Sequence, residues 1–236
     1  MIWKFTDNKS RDSIEQQFDW ARNMNEVPQD KLYHAEGNVA VHTWKVIEEL
    51  QQLPAYSDLG GQDKEILWTA ALLHDVEKRS ATVVESDGRI TARGHARKGE
   101  YTVRTLLYRD LPTPFAIREK IASLVRFHGL PLWLMEKTDP VRKIAEVAFR
   151  LDTSQLRMLA EADIRGRICQ DREELLESLD LFELFCREQG CWKKSREFTT
   201  DHARFRYFHT AESYIDYIPY AVSYTHLRAH ETGRNL

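Results

Sequence analysis

From Ile14 to Phe185 the apolar residues of this chain recur at every third or fourth position. That period belongs to helices with one face turned to a core, and it constrains the fold more than any other feature of the sequence. Ile14, Phe18 and Ala21 follow Ser13-Ile14-Glu15-Gln16, which has capping-box form, and predict a helix that ends before Pro28. Val39, His42, Val46 and Leu50 share a face of a second helix, so His42 points where the apolar residues point. Asp63 opens a third, carrying Ile66, Leu67, Ala70, Ala71 and Leu73 into His74-Asp75. Further helices begin at Gly94-His95, at Pro114 (running to His128 and stopped by Gly129), at Pro140, at Ser154, and at about Arg172, the last reaching Gln189. One interruption breaks the period: Thr82-Val83-Val84 and Arg89-Ile90-Thr91 flank Ser86-Asp87-Gly88 and predict a small β-hairpin. The expected fold is an all-α bundle with one hairpin insertion, and residues 1–192 read as one domain.

A chain of 236 residues can bury a sizeable core, and its 42% hydrophobic and 30% charged residues are ordinary for a soluble globular protein. The net charge of −3 gives no global basic field, so any nucleic-acid contact has to be local. Cys169, Cys186 and Cys191 are odd in number and lack metal-ligand spacing, which suits a reducing cytoplasm. No apolar stretch reaches membrane-spanning length, and no membrane association is expected.

The polar residues at helix ends or on apolar faces are His34, His42, His74, Asp75, His95, His128 and Asp163. A histidine and a carboxylate at the end of a buried helix are costly unless something satisfies them. A divalent metal does so, and bundles build metal sites from side chains on converging helices. No cysteine takes part, so a zinc finger is excluded. A Gly-x-Ser-x-Gly elbow and a P-loop are both absent from the sequence. Basic residues surround the set: Lys78, Arg97, Lys98, Arg126, Arg165 and Arg167. Lys78 and Arg167 each follow a proposed ligand, Asp75 and Asp163, by one helical turn, and point to an anionic substrate such as a phosphate. Imidazole-rich ligation admits Mn, Fe, Co, Ni or Zn, as one ion or two.

The order His42, His74-Asp75, Asp163 resembles the HD-domain metal-dependent phosphohydrolases, an all-helical superfamily whose two-metal members carry extra histidines such as His95 and His128. Tyr33-His34-Ala35-Glu36-Gly37-Asn38-Val39, the hairpin segment Thr82–Thr91, Gly94-His95-Ala96-Arg97-Lys98-Gly99 and Ala162-Asp163-Ile164-Arg165-Gly166-Arg167 are similar to the HD module of bacterial RNA end-repair proteins. In those proteins an HD phosphohydrolase precedes a polynucleotide kinase. The resemblance implies removal of phosphate from 2′-phosphate or 2′,3′-cyclic phosphate RNA ends. It puts the functional set on His34, His74, Asp75, Lys78, His95, His128, Asp163 and Arg167. His42 ranks first for metal by helical geometry and by the general HD pattern, while His34 is a candidate for either metal or substrate phosphate. Two alternatives stand beside this reading: nucleotidase or cyclic-nucleotide phosphodiesterase activity, and a non-catalytic domain that binds metal or nucleotide and regulates a partner.

Residues 193–220 are aromatic and charged and read as a C-terminal extension. From Ala221 the character changes, and residues 221–236 resemble translated sequencing-adapter read-through, so His226 and His230 are not counted as ligands. By resemblance, a C-terminal P-loop kinase module is then expected to be missing from this chain.

Overall fold

The computed structural model describes residues 2–193 and Thr200. The chain divides into two units, Met1–Arg196 and Glu197–Leu236, and the helices and the site belong to the first. The aromatic extension expected over 193–220 and the non-native tail expected over 221–236 lie, Lys193 and Thr200 apart, outside the described residues.

Twelve α-helices are described: α1 (Arg11–Gln17), α2 (Asp19–Asn23), α3 (Val39–Gln52), α4 (Pro54–Ser57), α5 (Gly61–Leu73), α6 (Lys78–Ala81), α7 (His95–Thr105), α8 (Phe115–Phe127), α9 (Leu130–Trp133), α10 (Pro140–Ala148), α11 (Thr153–Gly166) and α12 (Arg172–Glu188). Between α6 and α7 lies the hairpin, β1 (Val83–Val84) against β2 (Ile90–Thr91), antiparallel with Val83 opposite Thr91 and Val84 opposite Ile90. Among the described residues the protein is mostly helical with one two-stranded insertion, as the periodicity predicts.

Helix α5 is the centre. Every residue from Ile66 to Leu73 is buried, so this C-terminal part of the helix has no solvent face and needs neighbours all round. It packs against α3, α8 and α11, and α3 lies along α11. At that crossing Gly166 takes the place a side chain would fill: a Cβ there would meet Val46 Cγ2 at 2.9 Å and the Val46 backbone nitrogen at 3.0 Å. A smaller cluster of Leu132, Ala160, Ile164, Leu175 and Leu179 joins α9, α11 and α12.

Several boundaries differ from expectation, each for a local reason. Ser10, not Ser13, caps the first helix, its side chain accepting from the Ser13 backbone N–H. That helix also breaks at Phe18, whose extended backbone (φ −128°) brings its ring 5.3 Å from Phe5 and 5.5 Å from Trp20; aromatic packing outweighs one turn of helix. Asp152 caps α11 in place of Ser154, accepting from the Ser154 backbone N–H. Helix α5 starts two residues before Asp63, and Pro114 is the cap of α8 rather than its first residue. Gly129 is right-handed (φ −84°) and does not stop the chain in a left-handed turn; Pro131, tolerated in a first helical turn, lets α9 start at once. No helix among the described residues is long and apolar enough to cross a membrane.

Candidate metal centre

Five helices end or cross at one point. His74 caps the C-terminus of α5 in right-handed backbone, and its Nδ1 lies 2.7 Å from the Ala71 carbonyl oxygen. His128 does the same at the end of α8, with Nδ1 2.8 Å from Val125 O. His95 opens α7, where Gly94 supplies the left-handed turn (φ 77°), and its Nδ1 lies 2.7 Å from Ala92 O. His42, fully buried in α3, holds Nδ1 2.9 Å from Glu36 Oε1, a close contact without hydrogen-bond alignment. An imidazole whose Nδ1–H faces a carbonyl or carboxylate oxygen leaves Nε2 unprotonated, which is how metal-ligating histidines are held.

Those four Nε2 atoms surround Asp75. On the Oδ2 side, His74 Nε2 is at 3.3 Å and His42 Nε2 at 3.8 Å; on the Oδ1 side, His95 Nε2 is at 3.2 Å and His128 Nε2 at 3.9 Å. Asp163 of α11 closes the first side, with Oδ1 3.0 Å from His42 Nε2. His42, His74 and Asp75 form one potential ligand set and Asp75, His95 and His128 another, the donor atoms of each within 4.8 Å of one another. Asp75 is therefore placed to serve both.

The chemistry of the donors fits a cation. Asp75 Oδ1 and His74 Nε2 are buried and make no hydrogen bond. Such orphaned groups are costly in a protein interior. Burial alone would push the His74 imidazole down, yet the adjacent Asp75 carboxylate raises it above its ordinary range, so the surroundings favour positive charge there. His128, fully desolvated and beside other imidazoles, is pushed down to about 3 and stays neutral. Burial raises the Asp75 carboxyl, but Lys78 and the imidazole of His74 more than reverse this and hold it well below the usual range. Asp163 behaves likewise, with Arg167 overcoming its burial.

Lys78 and Arg167 have a duty the sequence did not reveal. Lys78 Nζ bonds Asp75 Oδ2 at 2.8 Å and Gln29 Oε1 at 2.7 Å. Arg167 holds Asp163 with two nitrogens, Nε at 3.2 Å and Nη2 at 2.5 Å. Both also line a cavity of about 490 Å³ that reaches His34 and His95. They approach the carboxylates from the cavity side, so the same cations face whatever enters it. Lys98, Arg126 and Arg165 are spent elsewhere, on Ser80 O, Glu100 and Glu161.

His34 packs edge-on against His42, ring centroids 4.7 Å apart, and faces the cavity, with Nδ1 2.8 Å from Glu36 Oε1 and an imidazole that burial pushes down to about 4. Sequence reasoning missed Glu36, which links the two histidines between which the sequence left a choice. Its Oε1 meets both Nδ1 atoms, and its Oε2 accepts the Ile168 N–H at 2.8 Å. With its side chain wholly buried and both oxygens engaged, Glu36 is placed to orient the two imidazoles, and His34, Glu36 and His42 also form a third potential ligand set. The available signal was physical: a buried His42 needs an acceptor for its second nitrogen, and Glu36 is the nearest carboxylate preceding it in the sequence.

A comparison with curated protein sequences found no match. Against protein families, residues 39–162 match the HD domain, a span holding His42, His74, Asp75, His95 and His128 and ending one residue before Asp163. HD domains typically bind divalent metals and hydrolyse phosphate esters, which suits the donor set gathered around Asp75. With that match covering residues 39–162 of 236, the chain belongs to the HD-domain family.

Proposed function

We propose that this metal-dependent phosphohydrolase removes phosphate from 2′-phosphate or 2′,3′-cyclic phosphate ends of RNA. The observation that carries the reading is a carboxylate, Asp75, shared by two histidine sets beside a cavity lined by His34, Lys78 and Arg167. His42, His74, Asp75, His95, His128 and Asp163 would hold one or two divalent ions, which supply Lewis acidity and lower the pKa of water when bound. Lys78 Nζ and the guanidinium of Arg167 present positive charge to the non-bridging phosphoryl oxygens, where charge grows in the transition state. His34 is neutral near pH 7, and with Nδ1 committed to Glu36 its Nε2 is the atom that can accept a hydrogen bond or a proton from a ribose hydroxyl.

The cavity also favours a second reading. At about 490 Å³ it has the capacity of a small-ligand pocket rather than a groove for a long strand, which suits a free nucleotide as well as a terminal one. A panel of 2′-phosphate, 3′-phosphate, 5′-phosphate and 2′,3′-cyclic substrates, each assayed with Mn, Fe, Co, Ni and Zn, separates the two. The expected result is release from 2′-phosphate and 2′,3′-cyclic ends, with no activity in Asp75→Ala although its helical circular dichroism persists. Activity confined to 5′-nucleotides would refute RNA-end processing.

A further inference from the structure

Two aromatic side chains line the same cavity as Lys78 and Arg167 without belonging to the metal cluster: Tyr33 and Trp133. Both are large rings left about half in water, at 49% and 48% exposure. Neither sits on a loose segment. Trp133 ends α9, between Leu132 and Leu134, which are buried at 8% and 1%, and Leu132 is anchored in the cluster with Ala160, Ile164, Leu175 and Leu179. Tyr33 lies in the turn held by Asp30, whose Oδ1 accepts the Leu32 N–H at 2.9 Å and whose Oδ2 accepts the Ile90 N–H of β2 at 3.0 Å. The fold therefore fixes two half-exposed aromatic rings on the wall of a cavity that Lys78 and Arg167 also line, together with Asp30 and Asp171.

A single ligand matches that division: a phosphate for the cations joined to a flat ring for the aromatics. We propose that Trp133, with Tyr33, is the stacking platform for the nucleobase of the substrate. The substrate class is accordingly a nucleotide or nucleotide end rather than a bare phosphate ester. The inference rests on the phosphohydrolase reading for its catalytic consequences. Stacking uses the π-face that every base has, so recognition by these rings tolerates any base identity.

The test compares the metal-loaded full chain with Trp133→Ala, Trp133→Phe and Tyr33→Ala on two substrates, adenosine 2′,3′-cyclic phosphate and the base-free methyl riboside 2′,3′-cyclic phosphate. Trp133→Ala is expected to raise KM for the nucleotide about five- to a hundred-fold. It should leave kcat/KM for the base-free ester unchanged, and Trp133→Phe should recover most of the loss. Tyr33→Ala should shift the nucleotide KM in the same direction. An unchanged nucleotide KM in Trp133→Ala, or an equal loss on both substrates, overturns the proposal. Calorimetric binding of 2′-AMP to the native chain and to Trp133→Ala reads stacking without turnover. Weaker binding in the variant supports the platform even where neither ester is hydrolysed, an outcome that would refute the phosphohydrolase reading alone. Equal binding refutes the platform.

Discussion

The imidazoles of His34, His42, His74, His95 and His128 all turn Nδ1 to an oxygen, three to the carbonyl three residues earlier and two to Glu36. Three of these contacts come with the helix or turn that carries the ring; the Glu36 pair depends on one side chain. Replacing that carboxylate by an amide keeps its shape but leaves one oxygen and one donor where three N–H groups, of His34, His42 and Ile168, face it. Glu36→Gln is therefore expected to weaken metal affinity about 10- to 100-fold while the helical spectrum is retained. Titration calorimetry with the metal alone checks this, and an unaltered affinity would remove Glu36 from the orienting role. The histidines and Asp75 were legible in the sequence because each stands at a helix end or on an apolar face, where a polar residue is out of place. Glu36 was not, because a glutamate in a polar turn looks solvated until the chain closes over it.

At the scale of elements, helix existence follows from periodicity, whereas helix ends do not. Ser10 competes with Ser13, and Asp152 with Ser154, over a few residues of near-equal capping strength, and tertiary contacts decide between them. The contact of Gly166 with the Val46 backbone was equally hidden, since a glycine near a helix end reads as a stop signal. It sets how closely α3 and α11 approach, and these helices carry His42 and Asp163. In Gly166→Ala the added methyl meets backbone that cannot rotate away, so the helices must separate. Overpacking of this kind costs about 1–3 kcal/mol. The expected outcome is a melting temperature lower by several degrees together with weaker metal binding, as His42 withdraws from Asp163. A variant that melts lower but binds metal normally would show that the crossing supports the fold without setting the site.

For the whole molecule, stability should follow both pH and metal. In metal-free protein His34 and His128 resist protonation, at about 4 and about 3, because burial penalises their charge. The unfolded chain takes up those protons near the ordinary histidine value of about 6.5. Stability from these two residues is therefore complete above about pH 6.5 and declines as pH falls towards 4. The raised His74 works in the opposite sense, but its gain is complete by about pH 6.5, so it does not offset losses below that. Differential scanning calorimetry of chelated protein should show the melting temperature falling between pH 6.5 and 4.5; a flat profile would contradict the burial of these rings. Metal at a hundred times its dissociation constant should stabilise the fold by about 2.7 kcal/mol. The sharing of Asp75 carries one more consequence. A carboxylate with a donor set on each oxygen behaves towards cations as a dibasic acid behaves towards protons: filling one side draws electron density from the other. Successive ions should therefore bind with separate stepwise constants, the second weaker, and the antagonism must be mutual. Asp75→Asn, which keeps one oxygen donor, should merge the two steps of the isotherm into one.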